Sequence, residues 1–216
     1  DGGVISMVSA VSNSSMVSGG VVSTGPHANV SFSSCSISHI NASSQWHQVN
    51  GGVLQIAGDS AITLFNCSVS HVRAESSSRR VAGGIIRLVS RAVATFVDCT
   101  VRGVTANAGM GVHGGVMHLY SSAGLTIERS VIENTSVVAE SGSAFGGVVY
   151  ADSHSFVSLP ERTVATASSP SRGAVASGAR LMPPSAATAN LAATPFYHCS
   201  VPSSTAPRPG GAAPPR

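Results

Sequence analysis

Gly51-Gly52-Val53-Leu54-Gln55-Ile56, followed by Asn66-Cys67-Ser68, is the stretch whose reading decides the fold. The block recurs in register. Glycine pairs stand at 19–20, 51–52, 83–84, 114–115 and 146–147, with spacings of 32, 32, 31 and 32 residues. Self-similarity at such a period marks a solenoid or array. Cys35, Cys67 and Cys99 fall at the seventeenth place of their units, and Ser130 holds that place in the fourth. The unit that is one residue short keeps its distance from glycine to Ser130, so the deletion belongs to the loop before Gly114.

Within each unit the apolar residues alternate, the period of a half-buried strand. The fourth and sixth places read Val22/Thr24, Leu54/Ile56, Ile86/Leu88, Met117/Leu119 and Val149/Ala151. The twelfth and fourteenth read Val30/Phe32, Ile62/Leu64, Ala94/Phe96, Leu125/Ile127 and Val157/Leu159, with Ser31, Thr63, Thr95, Thr126 or Ser158 as the polar residue between. Ile37, Val69, Val101, Ile132 and Val164 hold the nineteenth place. Each unit is therefore expected to hold two or three short strands separated by bends. One unit cannot bury its own apolar face, but stacked copies share a core. No amphipathic helix separates the strands, so equivalent strands stack about 4.8 Å apart as parallel sheets. The expectation is an all-β parallel β-helix of about five coils. Place twenty-one (His39, His71, Gly103, Asn134) and the residues before the Cys place (Ser34, Asn66, Asp98) suit bends, being glycine or types enriched at positive φ or in local turns.

The combination of Gly-Gly-Val-Ile/Leu-x-Ile/Leu, a Thr-centred strand and Asn/Asp-Cys-Ser/Thr-Val over about residues 19–159 resembles the right-handed parallel β-helix (pectin-lyase-like) superfamily. It is similar in particular to the repeat region of polymorphic outer-membrane adhesin-type proteins. It differs in carrying Cys for the second Asn of their repeat and Phe32, Phe65 and Phe96 at unequal places. The resemblance implies a right-handed coil, as do the connections of parallel strands generally. It also implies one of two functions. The first is a non-catalytic structural or adhesive module of a larger secreted or cell-surface protein, binding glycan or protein along an exposed sheet. The second is a divergent carbohydrate-active enzyme, a polysaccharide lyase or glycoside hydrolase.

Domain organisation follows from the register. Residues 1–18 open with Gly2-Gly3-Val4-Ile5, but the next glycine pair follows after only 17 residues, so they read as a partial N-terminal coil. Residues 19–159 are the solenoid. From Pro160 to Arg216 the register stops and ten of the eleven prolines gather, which reads as a disordered, low-complexity tail. The absence of an initiator Met and of capping signals leads us to expect a piece of a longer chain. Twelve arginines, no lysine and a net charge of +3 form no basic stripe with interleaved aromatics, so nucleic acid is not expected as a partner. No apolar run approaches the ~18 residues of a membrane-spanning helix.

Several residues invite a chemical reading. The Cys ladder could form one disulfide, but three members cannot all pair, and buried free thiols acting as small hydrophobes are the favoured reading. Gly109-Met110-Gly111-Val112-His113-Gly114 fits a dinucleotide fingerprint but is preceded by a loop and followed by a strand, the wrong context. His39 with His71, and His113 with His118, lack a third converging ligand, so neither a metal nor another cofactor is expected. The fifth place of each unit (Ser23, Gln55, Arg87, His118, Tyr150) should form an outward row on one sheet, and the last four are the candidate ligand-binding residues. Catalysis there would need carboxylates, and the nearest, Asp59 and Asp152, share no place. Sequons at Asn13, Asn29, Asn41 and Asn134 are candidate N-glycosylation sites, in keeping with an extracellular or cell-surface location. A fifth, Asn66, looks enclosed by the Cys ladder.

Overall fold

A computed structural model describes residues 2–141, 143–151, 154–159, 164–168, 188–190 and 197–200. Among these residues the only regular secondary structure is β-strand, and every paired strand is parallel. Four sheets run along the axis of a β-solenoid of about five turns. Each coil visits them in the same order. In the second coil, Leu54–Ala57 lies in the first sheet, Ala61–Phe65 in the second, Ser68–Ser76 in the third and Arg80–Ala82 in the fourth. No described helix is long and apolar enough to cross a membrane, a statement about helices alone.

The expected two or three strands per unit are thus four. The difference lies after the Cys place, where the third-sheet strand runs nine residues and the fourth-sheet strand two or three. His39, His71, Gly103 and Asn134 do not separate strands. They kink the long strands from within, at φ of 55°, 52°, 60° and 54°. The kink re-aims each long strand, so its first part faces one core and its last part another.

Register follows the repeat. Leu54 pairs with Ile86 and Ile86 with Met117, while Ile62, Ala94 and Leu125 stack in the same way. The missing residue comes out between the third and fourth sheets. Ser76 pairs with Ala108 at an offset of 32 residues, and Arg80 with Gly111 at 31. Residues 1–18 supply a third-sheet strand, Val4–Ser12, and a fourth-sheet strand, Val17–Ser18. Val164–Ser168, Thr188–Asn190 and Tyr197–Ser200 pair onto the third and second sheets beyond residue 159. The rest of the expected disordered tail lies outside the described residues.

The interior is two cores rather than one. The larger, with Leu54, Ile86, Phe96, Met117 and Leu125, fills the space between the first three sheets. The smaller is built of Val and Ala, among them Ala74, Val81, Ala106, Val112 and Val137, and joins the far half of the third sheet to the fourth. The glycine pairs form the waist between them. The first glycine of each pair turns the chain at positive φ, +59° at Gly51 and +72° at Gly83. The second rests on the third sheet. A Cβ at Gly84 would lie 3.1 Å from Val104 Cγ1 and would overlap the Gly115 carbonyl. Only glycine lets the corner sink this far.

The Cys place does more than expected. Cys35, Cys67 and Cys99 are free thiols, and Cys67 and Cys99 are buried in the larger core as small hydrophobes would be, yet they also form a polar ladder. The backbone N–H of Cys35 donates to Cys67 Sγ (3.4 Å), and that of Cys99 donates to Ser130 Oγ (3.0 Å). Each side chain in turn donates to the carbonyl two residues back: Cys67 to Phe65 (3.3 Å), Cys99 to Val97 (3.3 Å) and Ser130 to Glu128 (2.8 Å). Burial pushes the thiol pKa of Cys67 and Cys99 up, so both stay protonated and able to donate.

Candidate binding cleft

The fifth-place residues form the expected row. Ser23, Gln55, Arg87, His118 and Tyr150 pair in register along the first sheet, pointing away from the larger core. Their alternation with Leu54, Ile56, Ile86, Leu88 and Met117 sets that direction, since successive side chains of a strand point to opposite faces. An outward row on a flat sheet would be solvated. This one is not. His118 is only 6% exposed and Gln55, Arg87 and Tyr150 are half-buried.

The cover comes from the fourth sheet. Ser18, Asn50, Ala82, His113 and Phe145 form a second row in register, one residue before each glycine pair. Their strand neighbours Val49, Val81, Val112 and Ala144 occupy the smaller core, so this row also faces outward. Across the sunken corner the two rows meet. His113 lies 5.8 Å from His118 and 5.2 Å from Tyr150, ring centre to ring centre, and Phe145 lies 5.8 Å from Tyr150. His118 stacks on Tyr150 at 5.5 Å with an interplanar angle of 26°. The rows face each other along the corner between the first and fourth sheets, a seam parallel to the solenoid axis that is the candidate binding cleft.

The cleft changes character along its length. His113 of the third coil, His118 and Phe145 of the fourth and Tyr150 of the fifth form an aromatic cluster. Asn50 of the first coil, Gln55 of the second and Arg87 of the third precede it. Four polar atoms along the two rows are enclosed with no hydrogen-bond partner: Asn50 Oδ1, Gln55 Oε1, Arg87 Nε and His118 Nδ1. Leaving a buried polar group unmatched costs on the order of 1–3 kcal/mol. Such groups are rare in native folds, and four on adjoining rungs call for a common explanation. A bound molecule supplying the complementary groups is one.

Electrostatics set the cleft apart as well. Burial first, then the charge of Arg87, then His113 push the His118 pKa down to about 3, so its imidazole is neutral across the physiological range. Burial also pulls the Arg87 guanidinium below the usual arginine range. Among the described residues, neither row contains Asp or Glu. Asp59 stands at an exposed corner paired with Arg91, and Asp152 lies outside the described residues.

The remaining sequence-predicted residues are elsewhere. His39 and His71 stack at 4.7 Å on the outer face of the third sheet, and no three His, Cys, Asp or Glu residues converge among the described residues. Gly109–Gly114 is a turn, the strand Gly111–His113 and a corner glycine. Asn13, Asn29 and Asn134 are exposed, and Asn41 is half-buried with its Oδ1 enclosed. Asn66, expected to be enclosed, is exposed. It takes a corner position at φ 51°, which turns its side chain away from the buried Cys67. The opposing wall of Asn50, His113 and Phe145 was not anticipated. Its signal was the residue preceding each glycine pair, legible only once the corner is known to fold back.

Compared with family models, with characterised proteins and with solved structures, the chain finds no match among any of them.

Proposed function

We propose that this chain is a non-catalytic glycan-binding module of a larger secreted or cell-surface protein, holding its ligand lengthwise in the cleft. The observation that carries this reading is the row of enclosed, unpartnered polar atoms running into an aromatic cluster. A pyranose offers an apolar C–H face for Tyr150, His118 and Phe145, and a rim of hydroxyls for Asn50, Gln55 and Arg87. Deep, mostly apolar sites with a few aimed polar groups are the usual form of small-ligand pockets.

A peptide strand fits less well. Peptides that extend a sheet need a free edge for backbone pairing, whereas the cleft floor is a sheet face whose backbone is already paired along the axis. An extended peptide also advances about 3.3 Å per residue against rungs about 4.8 Å apart. Among the described residues the two rows carry no carboxylate, which favours binding over cleavage. The exposed sequons, and the resemblance to right-handed pectin-lyase-like and adhesin repeats, favour an extracellular setting.

The test is retention of the chain on a panel of immobilised neutral and charged polysaccharides, beside a variant combining Arg87→Gln, His118→Gln and Tyr150→Leu. Retention that falls at least tenfold in the variant, with the β-type circular dichroism kept, supports the reading. Equal retention of the two chains refutes it. New reducing or unsaturated ends on the polysaccharide would replace it with a catalytic one.

A further inference from the structure

Arg87 differs from the other described arginines of the solenoid in its enclosure: Arg79 and Arg80, which have no carboxylate partner either, are exposed to water. Arg73, Arg91, Arg102 and Arg129 are largely exposed, and each is paired with a carboxylate: Glu75, Asp59, Glu133 and Asp98 respectively. Arg87 is the more enclosed, yet it has no carboxylate partner among the described residues. Its neighbour one rung on is His118, whose Nδ1 is enclosed and unpartnered beside the guanidinium. Arg87 is half-buried with its Nε enclosed, and drawing a charge out of water without a counter-charge is costly. Among the described residues no carboxylate faces it, and a ligand is one source of the missing anion.

We propose that an oxyanion carried by the glycan, a carboxylate or a sulfate ester, docks between Arg87 and His118, and that His118 takes up one proton as it docks. This rests on the glycan reading above. No covalent bond changes. The proton comes from solvent and resides on the imidazole, which then donates from Nδ1 to the oxyanion while Arg87 donates from Nε.

The surroundings of His118 explain why uptake needs the ligand. Arg87 lies on the preceding rung, Tyr150 on the following one, Tyr120 on its own strand, and His113 and Phe145 across the corner. Gln55, two rungs back, is neutral. None of these is an anion, so without an oxyanion beside it an imidazolium here would face Arg87 uncompensated. Burial first, and that repulsion second, depress its pKa. A docked oxyanion offsets both cations, and charge-assisted hydrogen bonds from imidazolium and guanidinium are the strong class. Without the proton, Nδ1 can donate only by a change of tautomer, which moves no net charge.

Isothermal titration of the chain with sulfated dextran, carboxymethyl dextran and neutral dextran of matched length tests this, from pH 7.5 down to 5.5. Running each titration in two buffers of different ionisation enthalpy reads proton uptake directly. Sulfated dextran is the cleaner probe, because its sulfate esters do not titrate in this range. The expected result is uptake approaching one proton, with affinity rising by up to about tenfold per pH unit on acidification. His118→Gln should remove the uptake, and His71→Gln, on the outer face of the third sheet away from the cleft, should keep it. Binding of both polyanions with no proton uptake, or uptake that survives His118→Gln, overturns the proposal alone. So does binding of neutral dextran in preference to both. No binding of any dextran or panel glycan at any pH overturns the functional reading and the proposal together. A response to only one polyanion supports the proposal and identifies the group.

Discussion

Ser130→Ala separates two accounts of the Cys place. If that place is a slot for small hydrophobes, replacing a buried hydroxyl by a methyl group should be neutral or stabilising. The structure says otherwise. Ser130 Oγ accepts the Cys99 N–H at 3.0 Å and donates to the Glu128 carbonyl at 2.8 Å, and both Ser130 and Cys99 are buried. Alanine leaves the Cys99 N–H enclosed and unmatched, a loss of about 1–3 kcal/mol. With a urea dependence of about 2 kcal/mol per molar, typical of small domains, the unfolding midpoint should fall by roughly 1 M. Ser130→Cys is the control. It restores the atom type that Cys67 presents to Cys35 at 3.4 Å, so most of the stability should return. Equilibrium urea unfolding followed by circular dichroism gives all three midpoints. A Ser130→Ala chain as stable as the unsubstituted one, or more stable than Ser130→Cys, would refute the ladder.

Three further outcomes are expected. Gly103→Asn should cost little, since Asn134, His39 and His71 hold the same kink at φ of 52–55° and a Cβ at Gly103 meets nothing closer than 3.6 Å. Gly84→Ala should cost on the order of 1–3 kcal/mol or more by overpacking the waist, and comparative urea midpoints decide the order. His118 should make the empty chain acid-sensitive. Its folded pKa of about 3 lies below the ordinary 6.5, so between those values the unfolded chain binds more protons. The associated stability is fully present above about pH 6.5 and is lost as pH falls towards 3. His118→Gln should flatten the melting temperature over that window, and an equally steep loss in that variant would place the sensitivity elsewhere.

Much of the architecture was written in the sequence because it is local and repeated. The spacing of the glycine pairs fixed which residues stack, and the alternation Leu54-Gln55-Ile56 fixed which of them face inward. Each such inference needs only neighbours within one strand, and the repeat supplies five independent copies of it. Positive φ at His39, His71 and Asn134 was legible for the same reason, since the preference resides in the residue itself. Its use was not. Whether such a residue ends a strand or kinks it depends on whether the neighbouring coil keeps its hydrogen bonds, which is a property of the stack.

The cleft belongs to tertiary structure alone. Asn50 and Gln55, or His113 and His118, are five residues apart, a separation that carries no information about facing one another. They face because Gly51 and Gly114 turn the chain at positive φ while Gly52 and Gly115 sink onto the third sheet, dividing the core and folding two outward faces together. The Cys ladder has the same origin. Sequence shows an apolar-looking residue at a regular place, and only stacking reveals that its sulfur meets the N–H of the coil before it. Sequence by itself determined the period and the inward face. Burial of the outward polar residues, and with it their chemistry, was decided by how the two sheets close over them.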